Sequence, residues 1–315
     1  MGNALHMHTD ELLRYQEMMQ RDDALNRLRS TDLLELGMLA DLLRREKHPG
    51  ETVSYALAPP AGLSLQEAVK SAADHGSGDI SLELVAKIKG STLPKLQASM
   101  LAALEQDSSI RFHDLPASQL AGLAELTASL ASLRAAGLSS VVFEFEAVES
   151  TGHDDDVSRF LETAQSHDLR TRACFTIGRG ESLEQRLDAL SVLRSLQQEM
   201  QIFSAVQVCV HHANTPEARR EEDATAVDYL KTLAVARLFL GNFDHVQGGW
   251  SVMGPKVLEL ALRFGADDAG VVPWSQVGTG QPSHHGGEAE LRRIIRDAGF
   301  RPVERDALFR QSLLR

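Results

Sequence analysis

Cysteine is scarce in this sequence, with only Cys174 and Cys209 among 315 residues. Two widely separated cysteines do not build the disulfide framework of a small secreted domain, and we expect both to be buried core residues of a cytoplasmic protein. Long apolar runs are lacking too. No segment approaches the ~20 residues that a transmembrane helix needs, and the amino terminus has no signal-peptide pattern, so we predict no membrane partner.

Positive charge is also in deficit. The 32 basic residues are outnumbered by 44 acidic residues, which leaves a formal net charge of −12. Such a surface repels a phosphate backbone, so we predict no nucleic-acid partner.

Short β-rich runs alternate with helical stretches from residue 52 onward. Strictly alternating units predict a parallel sheet, and eight of them favour a closed TIM-type (β/α)8 barrel over an open doubly wound sheet. We assign residues 1–50 to an amino-terminal helical extension packed outside the barrel and residues 51–315 to the barrel itself. The predicted strands are 52–58, 79–85, 109–114, 139–146, 170–177, 205–211, 245–250 and 269–273.

The carboxy-terminal third carries long, specific strings: AVARLFLGNFDHV at 234–246, LALRFGADD at 260–268 and DAGFRPVERD at 297–306. These strings resemble the radical SAM enzymes of futalosine-route menaquinone biosynthesis, aminofutalosine synthase and cyclic dehypoxanthine futalosine synthase. The resemblance implies a barrel of the radical SAM kind. In that family, three cysteines spaced CxxxCxxC hold a [4Fe-4S] cluster.

The departures from the family concern its catalytic residues. The segment ALAPPAGLSLQEAVK after the first strand contains no cysteine, and Phe143, Glu144, Phe145 and Glu146 replace the glycine-rich run that ends strand 4. We therefore expect no [4Fe-4S] cluster, no radical SAM chemistry and weak or absent SAM binding, with no cofactor required.

The candidate ligand-binding residues lie at the predicted rim of the barrel, where the carboxyl ends of the strands hold the active sites of such folds. Glu144 and Glu146 share a strand face and form either a general acid/base pair or solvated carboxylates. Arg179 and Glu181 stand where the family has His and Glu, as a ligand contact or as a helix cap. The remaining candidates are His211, His212 and Trp250.

Histidines are the candidate metal ligands, because imidazole suits a divalent ion such as zinc. His211 and His212 end strand 6, and His284 and His285 follow strand 8. No HxH or HExxH spacing preorganises a pair among these four histidines, so we predict no metal site.

Three functions remain open at this point. The first is a non-catalytic binding or regulatory partner of an active radical SAM enzyme of the same pathway. The second is a barrel that binds a SAM- or nucleoside-like small molecule. The third is a repurposed enzyme that uses the histidine and carboxylate rim with a divalent metal. Fold alone does not decide among them, and a homo-oligomer is compatible with each.

Overall fold

Strands and helices alternate along the chain in the computed structural model, which describes residues 19–86, 91–118, 122–146, 155–211, 224–274 and 287–310. The strands are β1 Thr52–Ala58, β2 Asp79–Ser81, β3 Arg111–His113, β4 Leu115–Pro116, β5 Ser140–Glu146, β6 Arg170–Ile177, β7 Phe203–Val210, β8 His245–Gln247, β9 Asp268–Pro273 and β10 Arg301–Glu304. The helices are α1 Arg21–Arg29, α2 Leu33–Lys47, α3 Leu65–His75, α4 Leu93–Gln106, α5 Leu123–Ala135, α6 Asp155–Ser166, α7 Leu183–Met200, α8 Ala226–Phe239, α9 Trp250–Met253, α10 Pro255–Arg263 and α11 Glu288–Asp297.

All strand pairs between these elements are parallel. One sheet has the order β10-β1-β9-β8-β7-β6-β5-β4, and β2 pairs with β3 in a second, two-stranded sheet. A parallel bridge between Phe112 and Leu138 links β3 to the start of β5. Parallel neighbours need crossover connections, and the helices provide them.

The large sheet curls around a common interior. Asp114, beside β4, and Arg305, after β10, belong to opposite ends of the strand order, yet they line one cavity. Arg172 of β6 and Gln247 of β8 line the same cavity. The predicted α/β barrel is thus confirmed as the fold type.

The barrel differs from the prediction between β1 and β2. Within the described ranges, no ladder joins β1 to β2; the other edge of β1 pairs with β10, which was not predicted. The predicted strand 79–85 ends early, because Leu82–Leu84 forms a turn of 3-10 helix. The loops after β1 and β2 remain connected, since the Gly62 N–H donates to the Leu84 carbonyl at 2.9 Å.

The amino-terminal helices pack on the outside of this body. Both contact α8, and α1 also contacts α7. Asp32 caps α2 by accepting a hydrogen bond from the Glu35 N–H at 2.9 Å. Arg21 forms an ion pair with Asp188 of α7 at 2.6 Å. The predicted division of the chain at residue 50 stays a prediction.

Among the described helices, none combines the length and the apolar character that crossing a bilayer requires.

Candidate functional site

Two rows of side chains cross the carboxyl-terminal part of β5, β6 and β7. The first row pairs Glu144 with Cys174 and Cys174 with Gln207. The second row pairs Glu146 with Thr176 and Thr176 with Cys209. Positions two residues apart on a strand share a face, so the carboxylates and the cysteines lie on one surface.

The cysteines are bonded to each other, contrary to the prediction of two isolated core thiols. The Cys174–Cys209 disulfide joins β6 to β7 with the Cα atoms 6.2 Å apart. The strand register explains the pairing, because it places the two residues diagonally on adjacent strands. A separation of 35 residues in sequence gave no indication of this proximity.

The carboxylates of β5 are in different electrostatic states. Glu146 forms an ion pair with Arg179 at 2.9 Å. Burial raises the pKa of Glu144, and the neighbouring carboxylates Glu83 and Glu146 raise it further. The structure brings Glu146 and Arg179 into contact and places Glu144 on the same strand face. A ligand contact of these three residues stays a prediction.

Glu181 is held by its own loop. Its carboxylate accepts hydrogen bonds from the Gly178 and Arg179 N–H groups at 3.0 and 2.8 Å, and it forms an ion pair with Arg186 at 2.7 Å. Burial opposes ionisation of this carboxyl, but the two N–H donors and Arg186 prevail and lower the pKa of Glu181. Glu181 therefore stabilises the loop before α7. The predicted helix cap is wrong for Glu181, because the N-cap of α7 is Ser182. A ligand contact of Glu181 remains a prediction.

The predicted histidine rim falls largely outside the described residues. His211 directly follows β7, and its N–H donates to the Ile177 carbonyl at 2.8 Å. His212, His284 and His285 lie outside the described ranges, as does the side chain of Trp250. Among the described residues, no group of three metal-ligating side chains includes His211.

Arg172 of β6 lies deeper in the interior, where it bridges several polar groups. Its guanidinium donates to Glu83 at 2.5 Å and to the Gln207 side-chain oxygen, and it lies 3.6 Å from Asp114. Burial opposes ionisation of Asp114, but Arg172 and His113 hold the pKa of this carboxyl well below its usual range. A paired, nearly fully buried arginine thus crosses the interior from β6 towards β2.

A second ion pair occupies the amino-terminal end of the barrel. The Arg305 guanidinium donates to both oxygens of Asp268, at 2.5 and 2.8 Å. Ser54 and Gln247 donate to the same carboxylate at 2.5 and 2.9 Å. Neither Arg305 nor Asp268 is more than 4% exposed. Sequence analysis did not identify this pair, because its partners lie 37 residues apart on β9 and after β10.

The residues present do not fit an iron–sulfur cluster. A [4Fe-4S] cluster of this family needs three cysteine thiolates and in general is held by cysteines at all protein-ligated irons. The loop after β1 supplies none, and the two cysteines of the sequence bond to each other on β6 and β7. No chemical step can be derived through such a cluster here.

The raised pKa of Glu144 leads to a stability prediction. Its folded-state pKa exceeds that of the unfolded chain, so ionisation costs stability as the pH rises through the interval between the two values. We expect Glu144→Gln to stabilise the protein at pH 8 by less than about 1 kcal/mol, given its partial exposure. The gain should vanish below pH ~4, where a glutamate is protonated in both states. Thermal unfolding across this pH range measures the effect.

The control is Glu162→Gln on the exposed face of α6. It should leave the unfolding temperature unchanged at both pH values. A destabilised Glu144→Gln variant at pH 8 would contradict the assignment of a penalised carboxylate.

Comparison with known families supports the resemblance seen in the sequence. Residues 206–313 match the model of the CofH/MqnC C-terminal region. The chain is 37% identical over 157 residues to aminodeoxyfutalosine synthase of Thermus thermophilus, covering 47% of this chain and 42% of that enzyme. It is 27% identical over 372 residues to aminodeoxyfutalosine synthase of Streptomyces coelicolor, covering 98% of this chain and 94% of that enzyme. The first match thus spans less than half of its relative, whereas the second runs nearly end to end.

Solved structures give the same fold. Methylornithine synthase superposes with a TM-score of 0.68 at 13% identity, covering 92% of this chain and 96% of its own. The [FeFe]-hydrogenase maturase HydG of Carboxydothermus hydrogenoformans superposes with a TM-score of 0.65 at 13% identity, covering 98% and 82%. At such identities the likeness concerns the fold alone. The sequence matches relate this chain to the futalosine-pathway radical SAM enzymes, although it lacks their CxxxCxxC motif.

Proposed function

We propose that this protein is a non-catalytic relative of the futalosine-pathway radical SAM enzymes and acts as a binding or regulatory partner of an active one. The observation that carries the proposal is the number and position of the cysteines. The sequence offers two cysteines where the family uses three, and they lie on β6 and β7 rather than in the loop after β1. Without a three-thiolate set, the barrel cannot hold the cluster that supplies the electron for SAM cleavage.

The interior of the barrel supports the same conclusion. Arg172 bridges Glu83 and the Asp114 region, and its pairing leaves both carboxylates engaged by the chain itself. A ligand entering this space would have to displace Arg172, whose side chain is only 6% exposed, from Glu83 and Asp114. A buried charge left without its partner costs several kcal/mol. We expect SAM to bind weakly or not at all, because the protein's own side chains occupy the interior.

The preserved scaffold is the third support. Sequence similarity persists over the carboxy-terminal region, whose residues build α8, β8 and β9, while the cysteine motif after β1 is absent. Relative to the family, this chain has thus kept segments that determine the fold and lost the residues that bind the cluster. A surface that recognises a related barrel requires the fold but not the cluster-binding residues. We place this complex in the cytoplasm, where the Cys174–Cys209 pair is expected to be reduced.

A second candidate, a barrel that binds a small molecule at its mouth, is favoured by one observation. Glu144 is a partly buried carboxyl with a raised pKa, and it lies beside the Glu146–Arg179 ion pair. Perturbed carboxyls of this kind often mark ligand sites. On this strand face, the Glu144 carboxyl would donate or accept one hydrogen bond to a ligand, and the Glu146–Arg179 ion pair would provide charged contacts.

Two binding measurements separate the candidates. Sedimentation velocity of this protein mixed with aminodeoxyfutalosine synthase or cyclic dehypoxanthine futalosine synthase of the same organism should reveal a complex with one of them. Methylornithine synthase, which shares the fold at 13% identity, is the control and should not bind. Calorimetry with SAM and S-adenosylhomocysteine should show no binding.

A complex without SAM binding is the expected result. Dissociation constants for SAM in the low micromolar range, with no complex, would instead favour the small-molecule barrel. Absence of both interactions would contradict the proposal as well.

A further inference from the structure

Three metal-ligating side chains meet at the amino-terminal end of the barrel, far from the predicted rim in sequence. His48 connects α2 to β1, His245 is the first residue of β8, and Asp267 immediately precedes β9. One candidate ligand atom from each lies within 4.8 Å of the other two. In the described part of the chain, this is the group of three that could hold a metal ion.

The two oxygens of the Asp267 carboxylate have different partners: Oδ1 contacts Arg237 and Val246, and Oδ2 faces the two histidines. Its Oδ1 atom accepts hydrogen bonds from the Val246 N–H at 2.8 Å and from the Arg237 guanidinium. Its Oδ2 atom faces His245 Nδ1 at 2.5 Å and His48 Nε2 at 3.3 Å. His48 Nε2 also lies 2.7 Å from the Asp244 carbonyl oxygen, a hydrogen bond that a bound ion would replace. Protein groups that fix a ligating carboxylate from behind are typical of metal sites, where they set its orientation.

The two imidazoles are held in place by stacking. The His48 and His245 rings stack with centroids 4.8 Å apart, and Phe309 stacks on His245 at 4.2 Å. Each histidine side chain is about one fifth exposed, at 21% and 23%, whereas Asp267 is buried. An ion therefore has a path from solvent into the open pocket that these residues line.

Charged groups surround the cluster. Arg237, Lys47, Asp244, Asp267 and His245 are the ionisable groups near His48. Arg237 compensates the buried carboxylate through Oδ1, on the side away from the imidazoles.

The spacing suits an ion of tetrahedral preference. Two ligands that each lie ~2.0–2.1 Å from one tetrahedral zinc ion are about 3.3 Å apart, and the His48 Nε2 to Asp267 Oδ2 distance is 3.3 Å. His245 Nδ1 needs a displacement of roughly 0.8 Å to reach the same spacing. Two imidazoles and one carboxylate form a ligand set that zinc-class ions favour, with the fourth position left to water.

We propose that His48, His245 and Asp267 bind a divalent transition-metal ion of the zinc class, which fastens the α2–β1 junction to β8 and β9. The catalytic residues of such barrels come from the opposite, carboxyl-terminal ends of the strands, so the proposed ion is structural. The site is independent of the function proposed above, and it differs from the rim histidines considered in the sequence.

The test uses the full chain after removal of metals with a chelator. Isothermal titration with zinc chloride should show one site of micromolar or tighter affinity. At 100-fold excess over the dissociation constant, zinc should raise the unfolding temperature by roughly 5 °C or more, whereas magnesium chloride should not. Cobalt chloride should give the visible absorption of a tetrahedral ion.

The variants locate the site. His48→Ala and His245→Ala should each weaken zinc binding at least 10-fold and abolish the temperature shift, while the control His167→Ala on the outer surface should change neither. If His245→Ala does not fold, zinc binding by His48→Ala and the cobalt spectrum of the unaltered protein still test the proposal. Zinc binding that is absent, or that is equal in all variants because other histidines hold the ion, would overturn the proposal.

Discussion

Replacing Asp268 by alanine is expected to lower the free energy of unfolding by about 3–5 kcal/mol, the range for removing one partner of a buried ion pair. The substitution leaves the Arg305 guanidinium buried without its carboxylate. It also removes the acceptor of hydrogen bonds from Ser54, Gln247 and the Gly270 N–H. Urea denaturation followed by circular dichroism measures the loss.

Two controls identify the cause. Asp297→Ala removes an exposed partner of Arg293, with both side chains about half exposed or more, and should cost no more than about 1 kcal/mol. The double variant Asp268→Leu with Arg305→Met should recover the part of the loss that comes from the unpaired Arg305 charge, because an apolar pair replaces it. The part that comes from the donors Ser54, Gln247 and Gly270 should remain. A cost for Asp268→Ala as small as that of Asp297→Ala would contradict the buried network.

The central strands were predicted well because their apolar sequence fits the buried positions that they occupy in the sheet. The apolar runs of β5 and β7 are typical of parallel strands covered on both sides. The bounds of β5 and β6 lie within one residue of the prediction. The prediction was wrong for β2, which ends at Ser81. The 3-10 turn that follows carries Glu83 to Arg172, a contact across 89 residues that no local pattern reports.

Strand β10 escaped prediction for a related reason. Its four residues include Pro302, which lacks an N–H, and their strand conformation depends on the exposed edge of β1. Arg305 follows directly and reaches Asp268 because β10 lies beside β1. The string DAGFRPVERD resembles the family, but the sequence alone does not show that it forms β10 and places Arg305 beside Asp268.

The candidate site was predicted in part. Glu144, Glu146 and Arg179 do lie together, since they belong to adjacent strand ends of a parallel sheet. The disulfide and the His48–His245–Asp267 cluster were missed, because each joins residues whose proximity depends on strand register or on loops at the opposite end of the barrel.

The second prediction with a large expected effect concerns the binding of an iron–sulfur cluster. Treatment of the purified protein with ferrous iron, sulfide and a reductant under anaerobic conditions is expected to yield no stoichiometric [4Fe-4S] cluster. The reductant matters because it opens the Cys174–Cys209 bond and makes both thiols available. Even then, two thiolates on β6 and β7 fall short of the three that the cluster requires. A futalosine-pathway enzyme that has the CxxxCxxC motif, treated in parallel, serves as the positive control.

Mössbauer spectroscopy of the iron-57 reconstituted protein is the most direct measurement of the central claim, that this barrel has kept the scaffold without the radical SAM chemistry. We predict no signal of a protein-bound four-iron cluster and no 5′-deoxyadenosine formed from SAM in the same sample. One [4Fe-4S] cluster per chain, together with reductive cleavage of SAM, would contradict the account.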